Sequence, residues 1–198
     1  MTFRLAALLM FLTVPALAAA PEAMPLARQV VADIGGLGPL IRAGANPHNP
    51  LLALVKSPQL YRRIYDEELA DHPEWITQAD DRYAAFLADT LTPDDLRVWL
   101  SYEESPIGRA INEKKKAGIE AGKAYQLTPD EKAAEDAFYN GPQNKAINVK
   151  IAVAQDRMLK TMNPLMIRIL EAAMEKYCQQ GGDCSNVKMS HPGDTPKP

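Results

Sequence analysis

The chain has 198 residues, with 22 basic against 25 acidic side chains and a formal charge of −3. That mildly acidic balance, without a broad basic block, argues against nucleic acid as a partner. Three histidines, spread over positions 48, 72 and 191, make a poor start for a metal centre.

The chain opens with one basic residue, Arg4, an apolar run from Leu5 to Val14, and then small residues. This layout predicts a secretory signal peptide over 1–18, with Ala16-Leu17-Ala18 as the cleavage site and Ala19 as the first mature residue. The run is short for a bilayer span, and no cysteine near the site offers a lipid anchor. About 180 residues remain, the usual size of one domain, and we expect a single globular domain over 19–184. No later apolar run reaches spanning length without charge, so no stable membrane span is expected after cleavage.

No alternating β-branched run bounded by turns occurs, so the predicted class is all-α. The first apolar pattern runs from Pro25 to about Ala43, weakened by Gly35, Gly36 and Gly38. A loop is expected over 44–50 and a short helical piece from Pro50 to Val55. Ser57-Pro58 then starts a helix with serine as the cap, carrying Leu60, Ile64 and Leu69 inward. Another starts at Pro73 and runs to about Asp89, with Ile76, Tyr83, Phe86 and Leu87 inward.

The sequence then says nearly the same thing twice. Residues 91–112 read LTPDDLRVWLSYEESPIGRAIN, and residues 127–148 read LTPDEKAAEDAFYNGPQNKAIN. Eight of 22 positions are identical, where unrelated segments would share roughly one or two. Tyr102 against Phe138 and Arg109 against Lys145 are conservative matches as well. Thr92-Pro93 and Thr128-Pro129 are both helix starts: the hydroxyl caps, the proline needs no N–H, and the acids face the positive helix end. Ser105-Pro106 and Asn140-Gly141-Pro142 end the first helix and start a second. Each copy is therefore predicted to be a helix-turn-helix hairpin, over 91–122 and 127–162. The period resembles that of helical solenoids, but two copies are fewer than a solenoid needs.

From Pro142 a long helix is expected, carrying Ile147, Ile151, Ala154, Met158 and Met162, interrupted at Asn163-Pro164 by a kink or by a break with a new cap. The stretch 165–178 is apolar almost all round, which predicts a central, buried helix. Cys178 and Cys184 flank the short QQGGD loop. In an exported chain they are expected to form a disulfide that closes the last helix and adds about 2 kcal/mol. A redox pair or half a metal site is the functional alternative. The tail 185–198 is Pro, Gly and charge, and is expected to be disordered.

The first corner, YEESPIGR, resembles the signature of domain-of-unknown-function 2059, an uncharacterised family of exported bacterial proteins. Thr92, Pro93, Tyr102, Ser105, Pro106, Gly108 and Arg109 carry the likeness, while Glu103 and Glu104 depart from the pattern. The second copy supplies Phe138, Tyr139 and Pro142 but has Gly141 and Asn144 in place of the serine and the glycine. The resemblance covers 91 to about 174 and implies an all-helical exported domain, periplasmic in a Gram-negative host. It implies no reaction.

Catalytic constellations are scarce. Glu104-Ser105 after a helix resembles the Glu-Ser of soluble lytic transglycosylases, but the Gly-Leu-Met-Gln type of segment that should follow is missing. Glu68 and His72 are four apart, yet a di-metal bundle needs Glu-x-x-His twice, and this chain lacks it. Met158, Met162 and Met166 could line a groove or hold Cu(I); at helical spacing they read first as core. Lys114-Lys115-Lys116 reads as a solvated face, with anionic lipid or glycan as the alternative. The reading is an envelope protein that binds or scaffolds, on a groove between the hairpins, with no cofactor and no catalytic or metal residue. Its partner is an unidentified envelope protein or cell-wall component. The alternatives are a peptidoglycan hydrolase or lyase, or a metal or apolar-ligand carrier.

Overall fold

The computed structural model describes residues 21–45 and 55–184. The leader expected over 1–18, most of the loop expected over 44–50, the piece expected from Pro50 except Val55, the tail over 185–198, and His48 and His191 lie outside the described residues. The described chain is all helix and turn: α1 (Ala23–Asp33), α2 (Gly38–Arg42), α3 (Pro58–Asp71), α4 (Glu74–Thr90), α5 (Pro93–Glu103), α6 (Pro106–Ala121), α7 (Pro129–Asn140), α8 (Pro142–Val153) and α9 (Gln155–Gln179).

The first apolar pattern forms two helices, α1 and α2. Gly35 and Gly36 have φ of +85° and +68°, the left-handed region glycine favours, and the chain turns there. The Asp80 carboxylate takes the Leu37 N–H at 2.7 Å and fixes the new direction. Ser57 occupies the predicted cap position of α3 without a side-chain cap bond. Its backbone N–H instead donates to the Tyr177 hydroxyl of α9.

Apolar burial divides into two clusters joined by α4. One lies among α3, the start of α4 and the end of α9, and holds Ile64, Tyr65, Trp75, Ile169 and Tyr177. The other gathers α1, the end of α4, α5 and α8 around Val30, Leu87, Leu96 and Ile147. The 17-residue α4 spans both because Trp75 and Ala79 serve one cluster and Ala84, Phe86 and Leu87 the other.

Both copies of the repeat fold as hairpins, and both threonines form complete capping boxes. Thr92 Oγ1 accepts from the Asp95 N–H, and Thr128 Oγ1 from the Glu131 N–H; each acid accepts from its threonine's N–H in return. The corner of the second copy differs from expectation. Asn140 ends α7, and Gly141 is the cap of α8 with no side-chain bond.

The hairpins pack on each other around a local two-fold. Residues 36 positions apart in the repeat are equivalent. Lys114 of the first hairpin pairs with Glu131 of the second at 2.6 Å, and Lys150 of the second pairs with Asp95 of the first at 2.5 Å. These are the same contact made twice, each partner exchanged for its repeat equivalent, as in a self-complementary interface. The equivalent rings of Tyr102 and Phe138 stack face to face, 3.9 Å apart and 5° from parallel. A contact between equivalent residues lies on the two-fold itself.

The cross-hairpin pairs act on their carboxylates. Burial pushes the Asp95 carboxyl up, but bonds from Lys150 and Thr92 more than reverse this and hold it below the usual range. Lys114, then Thr128, does the same for Glu131. A carboxyl depressed in the folded state contributes stability above its unfolded pKa, lost as pH falls through the folded one. Lys150→Gln is therefore expected to lose less stability than wild type on acidification below about pH 4. Urea unfolding at stepped pH reads this, and parallel curves would show that Lys150 does not depress Asp95.

The long helix breaks elsewhere than predicted. Ala154, at φ −90° and ψ 3°, separates α8 from α9, so the second hairpin ends at Val153 and not near 162. Helix α9 then runs through Pro164 without stopping. A proline inside a helix removes one bond to the fourth carbonyl back. That carbonyl belongs to Lys160, which is exposed to water, and Arg82 Nη1 donates to the neighbouring Thr161 carbonyl at 3.0 Å. Nor is α9 buried all round. Leu165, Ile169, Ala173 and Tyr177 form one buried stripe, while Ile167 is 52 % exposed. The sulfurs of Cys178 and Cys184 lie at disulfide distance, with Cα atoms 5.8 Å apart.

Candidate functional site

The predicted groove between the hairpins is filled. The Tyr102–Phe138 stack and the two ion pairs occupy that seam. The open space lies beside it, between the first hairpin and the α1–α2 turn.

Two cavities meet there across a shared wall. One, of about 240 Å³, is lined by Ile34, Leu37, Leu40, Trp99, Ile119 and Tyr139, with Lys115 and Lys116 at its side. The other, of about 540 Å³, is acidic, lined by Asp33, Glu104 and Glu113 together with Arg109. Glu103 and Asn112 belong to both.

Glu103 is the pivotal side chain. It sits at the last position of α5 and is only 2 % exposed. A buried carboxylate must be paired or well hydrogen-bonded. Here Trp99 Nε1, one turn earlier on α5, donates to Oε1 at 2.8 Å. Asn112 Nδ2, from α6, donates to Oε2 and also reaches the Asp33 carbonyl at 3.4 Å. The corner thus ties α5, α6 and the end of α1 together.

The residues that carry the sequence resemblance build this corner. Ser105 caps α6: its hydroxyl donates to the Tyr102 carbonyl and accepts the Gly108 N–H. Arg109 donates through Nε and Nη2 to the Glu104 carbonyl at 2.9 and 2.5 Å. Pro93, Pro106 and Pro142 each open a helix. Tyr102 is stacked on Phe138, its hydroxyl is buried without a partner, and burial raises its pKa to about 12. Tyr139 stands edge-on to Phe138 and reaches the rim of the smaller cavity, 37 % exposed.

The lysine run is not a solvated face. Lys114 and Lys115 bridge to the second hairpin through Glu131 and Glu135, both at 2.6 Å. Burial pulls the Lys115 ammonium down, but Glu135 and Tyr139 more than offset this, so its pKa stands above the ordinary lysine value. Lys116 lies along the α1–α2 turn, its Cδ 3.7 Å from where a Gly35 Cβ would stand. It makes no ion pair among the described residues.

The other expected features go to structure. Glu104 stands exposed on the open corner, its carboxylate taking the Gln29 amide at 2.6 Å. A glycosidic general acid works from an enclosed apolar pocket. Met158 packs on one core cluster and Met162 and Met166 on the other, all three partly buried. His72 stacks on Trp75 at 4.2 Å and bonds Glu74, while Glu68 pairs with Lys176. Among the described residues no group of three or more His, Cys, Asp or Glu could hold a metal ion, and no helix is long and apolar enough to cross a membrane.

Sequence reasoning missed Glu103, Asn112 and Trp99 as a unit. One signal was present: Trp99 and Glu103 are four apart, one helical turn, and so share a face. No family model matches the chain, and no curated protein and no solved structure does either.

Proposed function

We propose that the protein is exported to the bacterial envelope and binds a small ligand there without transforming it. One observation carries this reading. The apolar cavity beside the first hairpin has a single carboxylate in its wall, and both oxygens of Glu103 are held by protein donors. A fixed, satisfied carboxylate shapes a pocket; a general acid or base must be free to exchange a proton with a substrate. The leader over 1–18 supports export, and the corner resemblance, resting on the motif alone, supports the envelope.

The test is incubation of the full chain with purified peptidoglycan, followed by chromatography of the soluble fraction. The expected result is no release of glycan fragments. Fragments that appear with wild type and vanish with Glu104→Gln would overturn the reading in favour of a lyase or hydrolase.

A further inference from the structure

The smaller cavity has a polarity that selects its guest. Its walls are chiefly apolar: Ile34, Leu37, Pro39 and Ile119, with Tyr83 and Tyr139. Its volume of about 240 Å³ suits one ring or a short branched chain. Three of the exposed large hydrophobics, Leu40 at 56 %, Tyr125 at 42 % and Tyr139 at 37 %, gather around it. Leu40 and Tyr139 line it directly, and Tyr125 packs against Gly118, next to Ile119.

The charges are arranged unevenly. Glu103 is in the wall, buried, with its oxygens turned to Trp99 and Asn112. Lys115 is neutralised by Glu135. Lys116 is the one cation lining the cavity without an acidic partner among the described residues. An incoming anion is repelled from the Glu103 side and attracted to the Lys116 side, so its charged end and apolar end are sorted on entry.

Building on the binding reading above, we infer that this cavity takes a small carboxylate with an apolar or aromatic body, the carboxylate set against the Lys116 ammonium and the body against Ile34, Leu37 and Ile119. Trp99 is the reporter, because its indole N–H is fixed on Glu103 at the cavity wall.

The probes are phenylacetate and its neutral isostere phenylacetamide, titrated into the full chain while the ¹⁵N-indole signal of Trp99 is followed. A charge-assisted contact on one end predicts that the acid binds about tenfold more tightly than the amide. Lys116→Gln is expected to remove that preference by weakening the acid alone. Ile119→Trp, which fills the cavity, is expected to abolish the response to both probes while thermal unfolding stays cooperative. Equal affinity for acid and amide overturns the assignment, as does a phenylacetate response that survives Ile119→Trp. No response to either probe also overturns it, and leaves the absence of glycan turnover, on which the broader reading is tested, untouched.

Discussion

Replacing Gly108 by alanine is expected to lower stability by about 3 kcal/mol and the unfolding temperature by roughly 10 °C. A Cβ built there stands 2.0 Å from the Tyr102 carbonyl oxygen and 2.9 Å from its carbon. These are backbone atoms and cannot rotate away. Relief requires α5 and α6 to part, which breaks the Ser105 bonds to the Tyr102 carbonyl and draws Tyr102 off Phe138. Gly181→Ala is the control, because Gly181 has φ +87° and nothing within 4 Å of its Cβ position. It carries only the left-handed backbone cost of about 1 kcal/mol. Urea unfolding of both variants decides the matter: equal losses would mean that close approach is not what position 108 demands.

Removing the Glu103 carboxylate should come second. Glu103→Ala is expected to cost about 3 kcal/mol, because it leaves the half-buried Trp99 indole without its acceptor and the Asn112 amide with only its longer reach to the Asp33 carbonyl. It also thins the wall that Glu103 and Asn112 form between the two cavities. Glu103→Gln keeps one acceptor and most of the volume, and should cost about 1 kcal/mol. The Trp99 indole signal should move in both variants, while that of Trp75, in the other cluster, stays in place. A loss under about 0.5 kcal/mol for the alanine variant would show that water replaces the carboxylate freely.

Local signals were the most legible part of the sequence. Thr92, Thr128 and Ser105 each precede a Pro at the first helical position and cap the first turn through the hydroxyl, whereas Ser57 holds the same position before Pro58 without a side-chain bond. The all-α class followed from the lack of any alternating β-branched run bounded by turns. Tertiary choices were less legible. Asn163-Pro164 read as a kink or a break, yet α9 continues through Pro164 and the chain turns at Ala154. The lysine run looked solvated because its acids, Glu131 and Glu135, stand on a different helix. Glu103 read as a departure from a motif, and only the fold brings Asn112 back to it. The cavity was illegible for the same reason: Ile34 and Leu37 meet Ile119 only after the chain has turned at Gly35 and Gly36.

The two copies have also diverged unequally. Leu96 and Leu100 are buried on α5, while their equivalents Lys132 and Asp136 stand on α7, which has no buried residue. What both copies keep is the cap acid and the lysine that meets it across the two-fold. Two separate hairpins joined by such contacts would come apart on dilution, since their association would follow mass action. Carried on one chain, with only residues 122–128 between α6 and α7, the partner is always present at a high effective concentration. The pairing is then indifferent to how much protein the cell makes.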